Sequence, residues 1–195
     1  MSRKLITAPT VEPIALADAK LHLRVGTTSE DTLISLMIAA AREECENEIR
    51  RALITQTWEK YLDAFPEAIE LFYPPLQSVT SISYVDAAGT PQTLASTEYV
   101  VDDKQEPAWI VPADLKFWPL TRGVANAVTV RFVCGYGSAD TAVPKAIKNW
   151  LLLRIGDLFL NRSSVVMESG SINVASVPAR FTGSLLDRYR ISPPL

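Results

Sequence analysis

His22 is the only histidine in the chain, and the only cysteines are Cys45 and Cys134. A Ser-His-Asp or Cys-His site would have to be built on His22, within a helical stretch, and no Ser or Cys sits in a nucleophile elbow. One histidine and two distant thiols do not furnish an ordinary zinc site. Gly135-Tyr136-Gly137 follows a strand but lacks the third glycine and helix start of a dinucleotide loop, and no GKS or GKT cradle for phosphate occurs. Paired carboxylates do occur, at Glu43, Glu44, Glu46 and Glu48 and at Asp102-Asp103. Such pairs can move protons or hold a hard cation. In a body this rich in acids, a solvated helix face explains them as well. The inventory predicts no enzyme, no metal and no cofactor.

Elements must position whatever these residues do. Residues 14–23 read as a short helix opened by Pro13 and closed at Gly26. Ser29 reads as the N-cap of a longer helix, with Glu30 and Asp31 in its first turn, running to about Arg51. That helix carries two apolar stripes, one through Leu33, Leu36, Met37 and Ala40, the other through Ile34, Ile38, Ala41, Cys45 and Ile49. A helix apolar nearly all round needs partners on two sides. Leu33, Ile34, Met37, Ile38 and Ala41 are therefore candidates for packing against a neighbouring subunit. The other reading places the helix between a sheet and the first helix.

From Ile54 the periodicity becomes two. Strands are expected at 55–62, 68–73, 79–86, 92–94, 99–101, 109–111 and 128–134, with a turn at Ala87-Ala88-Gly89-Thr90. Pro144 then opens a helix over 145–161. Residues 163–177 read as an extended arm, and 178–190 as a short amphipathic helix with Phe181, Leu185 and Tyr189 on one stripe. The fold class is α+β. A helical core (the N-terminal helix pair plus C-terminal helices) carries an inserted antiparallel sheet or small sandwich. As domains, 1–162 form one body, helices 14–51 and 144–161 around a β region 54–134, and 163–195 form an arm.

Charge is divided unevenly. From Pro144 onward seven Lys/Arg stand against three Asp/Glu, while the preceding residues hold twelve against nineteen, for a net −3. An acidic body is poorly suited to gripping nucleic acid, which calls for a concentrated basic face. A basic tail suits docking on an acidic partner, and the arm's helix is either such a docking peptide or a segment folded back on its own core. The longest apolar run, around Trp150–Leu160, is broken by Arg154 and Asp157, so no membrane span is expected. The N-terminus lacks the apolar core of a signal peptide, and two cysteines make no disulfide framework, which suits reduced thiols in a cytosolic product.

Several stretches together resemble a known family. Pro13-Ile14-x-Leu16-x-x-Ala19-Lys20-x-His22-Leu23-Arg24-Val25 is followed by Glu30-Asp31-x-Leu33-Ile34. Arg51-Ala52-Leu53-Ile54-Thr55-Gln56-Thr57-Trp58 leads into the first expected strand. Pro74-Pro75-Leu76-Gln77-Ser78-Val79-x-Ser81-Ile82-x-Tyr84-Val85-Asp86-x-x-Gly89 is the most specific stretch. Val130-Arg131-Phe132-x-x-Gly135-Tyr136-Gly137 and then Val143-Pro144-x-Ala146-Ile147-Lys148 complete the order. The chain resembles, over about residues 10–162, the head–tail connector (adaptor) proteins of tailed bacteriophages and gene-transfer particles. Relatives also end in a Leu-Leu-x-x-Tyr-Arg-like helix, here Leu185-Leu186-Asp187-Arg188-Tyr189-Arg190.

The resemblance implies a structural subunit of a homo-oligomeric ring, usually of twelve, in the virion neck and assembled in the host bacterial cytoplasm. Such a ring lies below the portal protein, extends the DNA channel without sequence-specific binding, and receives a stopper or tail-completion protein. By analogy, the portal-docking candidates are Arg180, Phe181, Leu185, Leu186, Arg188, Tyr189 and Arg190. The rival readings are another neck or tail ring protein (a stopper or tail terminator) and a β-rich carbohydrate-binding module that stacks sugars on exposed Trp109 and Trp118.

Overall fold

The computed structural model describes residues 2–161 and 183–191. In chain order these hold β1 (Ser2–Thr7), α1 (Leu16–Leu23), α2 (Asp31–Ile49), β2 (Gln56–Leu62), β3 (Ile69–Glu70), β4 (Leu76–Val85), β5 (Pro91–Leu94), β6 (Tyr99–Asp102), β7 (Trp109–Pro112), β8 (Val128–Cys134) and α3 (Lys145–Leu160). The class is α+β, as the periodicities indicate. The chain divides into two compact units, each made from two separate segments. One takes residues 1–10 and 50–138, the other 11–49 and 139–195.

The first unit is a sandwich of two antiparallel sheets, ordered β1-β2-β8-β4-β5 and β3-β7-β6. β8 shows why these residues form strands. Val128, Val130, Phe132 and Cys134 alternate inward while Thr129, Arg131 and Val133 face the other way. The inward set meets Ile69, Leu71 and Ile110 from the smaller sheet, with Ile82 of β4, in one core. β8 ends where Gly135 takes φ 121°, and a Cβ there would lie 2.5 Å from the carbonyl oxygen of Ile54, so only glycine fits. β1 is a strand that the periodicity does not announce. Its six residues are all exposed, and it is held by antiparallel pairing to β2, with Ser2 opposite Tyr61 and Leu5 opposite Trp58. Arg3 lies over the rings of Phe72 and Tyr73, 5.5 and 4.9 Å from their centroids.

In the second unit, α1, α2 and α3 pack on one another. α3 starts after Pro144, as expected. α1 ends at Leu23, as expected, where Arg24 takes the left-handed conformation at φ 57° and its N–H donates to the Leu21 carbonyl, but it begins at Leu16, two residues later than expected. α2 ends at Ile49, not Arg51, with Arg50 at φ 59°. Lys20 bridges α1 to the start of α2 through Asp31, at 2.5 Å. Along α2, Ile34, Met37, Ile38, Ala41, Cys45 and Ile49 are buried. Of the amphipathic helix expected over 178–190, residues 178–182 lie outside the described residues, and the described part holds a 3-10 turn at Asp187–Tyr189.

Candidate interaction surfaces

The residues with chemical potential are dispersed. His22 is exposed on α1, and the nearest heavy atom to a Cβ built on Gly156 of α3 would be its Nε2. Cys45 is fully buried, and burial, then the charges of Glu48, Glu46 and Glu44, push its thiol far up in pKa, which disfavours the thiolate. Cys134 is buried too, its Sγ 3.8 Å from the Gln56 carbonyl. The glutamate run separates into distinct ion pairs. Glu44 accepts from Arg154 at 2.7 Å, Glu48 pairs with Arg190, and Glu46 accepts from buried Arg42 at 3.0 Å. Arg42 Nε also donates to Glu12 at 2.8 Å, which holds the segment before α1 on α2. Asp102 closes a turn by accepting from the Lys104 N–H and the Gln105 side chain. Among the described residues no three His, Cys, Asp or Glu gather as a metal site.

The sandwich holds a part-buried pair, with Arg131 exposed. Glu59, 11% exposed at its side chain, accepts from Arg131 Nη2 at 2.5 Å and from the Tyr61 hydroxyl. Burial would raise its pKa, but the hydrogen bonds from Tyr61 and Arg131 and the Arg131 charge outweigh this and hold it below the usual carboxylate range.

The packing candidates of α2 have partners within the chain. Ile34, Met37, Ile38 and Ala41 are buried and Leu33 is half-buried, with α1 and α3 supplying the contacts that its two stripes require. The residues of those stripes left outward are Leu36, 67% exposed, and Ala40. Of the docking candidates, Arg180 and Phe181 lie outside the described residues. Leu186 is fully buried, Leu185 and Tyr189 are half-buried, and Arg188 and Arg190 are exposed. Arg190 pairs with Glu48, and the Ile191 N–H donates to the Ile49 carbonyl at 3.1 Å, so this stretch lies against the end of α2.

The sugar-stacking platform is not assembled. Trp109 and Trp118 are half-buried, not exposed. Trp118 is already stacked on Phe65, centroids 4.8 Å apart and planes 9° from parallel, and its indole N–H donates to the Glu67 carbonyl at 3.3 Å.

A surface that the sequence reading passed over lies beside Trp118. In the connection between β7 and β8, Leu115 and Phe117 are each 89% exposed and Leu120 is 84% exposed. Leu115 holds φ 59°, a conformation that costs a leucine about 1 kcal/mol. The base of the connection is tied down on several sides. Ala113 donates to the Glu98 carbonyl at 3.0 Å, Arg122 to the Val85 carbonyl at 3.0 Å, and Asn126 to the Asp63 carboxylate at 2.8 Å. Lys116 pairs with Glu98 at 3.2 Å. The available signal was three large apolar residues between Pro112 and Gly123 with no period to bury them.

The described residues form an α+β pair of units in which many of the titratable groups are engaged in ion pairs. Residues 13–88 match the model of the phage gp6-like head-tail connector protein family, as the ordered motifs indicate. A search of curated proteins gives no match. Among solved structures, the chain is similar to a component of the neck of an empty gene transfer agent particle computed with sixfold symmetry. The two share 22% identity over 100% of this chain and 98% of that one, with a TM-score of 0.81. A component of the native gene transfer agent virion matches at 22% identity with a TM-score of 0.79 and the same coverage. A component of the native neck computed with twelvefold symmetry matches at 22% and 0.72, again over 100% and 98%. These similarities establish the fold.

Proposed function

We propose that the chain is a structural, non-enzymatic subunit of the neck of a tailed phage or gene-transfer particle. Copies would form a closed ring, usually of twelve, that sits below the portal, extends the DNA channel and receives the stopper or tail-completion protein. The observation that carries this reading is the whole-chain likeness to neck components, TM-score 0.81 over 100% of the chain, together with the connector match at residues 13–88. The twelve- and sixfold symmetries under which those necks were computed support a ring. An acidic body lining the conduit would let DNA pass, where a basic one would hold phosphate.

The C-terminal arm, residues 163–195, is the proposed portal-docking element. Leu186 sits in the core and Arg190 on Glu48, so docking by Leu185, Leu186, Tyr189 and Arg190 would require the arm to leave α2. Docking by Arg188 and the residues before 183 would not. Negative-stain imaging of the purified chain with portal protein, beside a chain ending at Ser163, tests both levels. Rings capping the portal are expected from the full chain and not from the short one. Absence of any complex with portal overturns the neck reading, and capping by the short chain overturns the role of the arm.

A further inference from the structure

We propose that residues 183–191 form a strap stowed on the C-terminal end of α2, which supplies that helix end with the cap and the cation its own last turn lacks. Release of the strap and loosening of the end of α2 are then one event. The inference stands on the helical unit alone and does not depend on the neck reading.

The need for a cap arises in α2. The last four carbonyls of a helix have no partner within it, and the negative end of its dipole disfavours nearby carboxylates. The last turn of α2 holds no basic residue, and Glu43, Glu44, Glu46 and Glu48 crowd its final two turns. Arg42 answers Glu46 and Arg154 answers Glu44. Glu48 is answered by Arg190 of the strap. The next residue of the strap completes the cap, because the Ile191 N–H donates at 3.1 Å to the carbonyl of Ile49, the final residue of the helix.

The strap is shaped to hold and to leave. Two turn bonds fold it, from the Leu186 N–H to the Gly183 carbonyl at 2.9 Å and from the Tyr189 N–H to the Leu186 carbonyl at 2.8 Å. Leu186 is its one fully buried side chain, while Ser184, Asp187, Arg188 and Arg190 are exposed. A single apolar plug, an ion pair open to solvent and one capping bond place a segment at the low end of local stability. While stowed, it withholds Leu186 and Arg190 from any partner, and a partner that takes them competes with α2.

Amide hydrogen exchange, read residue by residue by NMR on the full chain, tests the coupling. Arg190→Glu sets a carboxylate against Glu48 and the helix dipole without touching the core. It should speed exchange of Asn47, Glu48 and Ile49 by roughly threefold or more, together with exchange over 183–191, and leave α1 and the first half of α2 unchanged. Leu186→Ser, which removes the plug, should do the same more strongly, and Arg190→Lys should stay near wild type. Faster exchange over 183–191 with wild-type protection at residues 47–49 overturns the proposal, since the tail would then leave without affecting the helix. Wild-type protection in both stretches of Arg190→Glu also overturns it. So does a rise in Leu186→Ser spread evenly over α1, α2 and α3, which would make the segment an inseparable part of the core.

Discussion

At the scale of single residues, the groups most suggestive of chemistry turn out to hold elements together. Glu59 is the clearest case. Its folded pKa is depressed by Tyr61 and Arg131, so the stability it contributes is present above its unfolded value of about 4.3 and disappears as pH falls through the lower folded value. Glu59→Gln should therefore lower unfolding free energy by about 1 kcal/mol at neutral pH, and the difference from wild type should shrink as pH drops below about 4. Urea titrations at several pH values measure it, and a gap independent of pH would refute the assignment. The sequence shows the composition of these pairs but not their geometry. Glu43, Glu44, Glu46 and Glu48 look equivalent along the chain, yet Glu46 is buried on Arg42 while Glu44 reaches Arg154, 110 positions away.

At the scale of elements, β2 through β8 could be read from alternation because one face of each long strand must enter a core. β1 could not, since none of its residues is buried and its existence depends on hydrogen bonds to β2, far along the chain. The end of α2 came earlier than about Arg51, with Arg50 in a left-handed conformation that the sequence would assign to glycine. The two-sided apolarity of α2 was legible, but its cause is α1 and α3, contributed by segments on either side of it. In the C-terminal segment a helical period nominated Phe181, Leu185 and Tyr189; Phe181 lies outside the described residues, and Leu186, just before the 3-10 turn, is fully buried. β1 carries an element-scale prediction. Deleting residues 2–7 removes little buried surface but leaves β2, seven residues long, as an open edge. The shortened protein should fold with nearly unchanged circular dichroism and aggregate faster on gentle heating, as followed by light scattering. Equal aggregation rates would show that β1 does not guard that edge.

At the scale of the whole molecule, the division of charge noted in the sequence bears on what the chain avoids. With a net −3 and part of its basic residues, such as Arg42, Arg131 and Arg154, engaged with neighbouring acids, the full-length protein should not retain a 20-base-pair duplex at about 150 mM salt, with any dissociation constant weaker than about 10⁻⁴ M. Fluorescence anisotropy of a labelled duplex measures this, and saturable binding in the micromolar range would contradict an acidic conduit.

The interleaving of the two units also sets a schedule for synthesis. The helical unit has its first part in residues 11–49 and its second beyond 138, with the sandwich made in between. When α2 leaves the ribosome, α3, which it packs against, has not yet been translated. At ordinary elongation rates the interval before Leu160 is reached lasts roughly 5–20 s. During it the part of α2 that α3 covers stays unshielded, so a nascent chain stalled in the sandwich segment should be a substrate for chaperones. The sandwich, by contrast, is complete once Ser138 has emerged. On this schedule the sandwich, with β1 from the N-terminus, can close before the helical unit does.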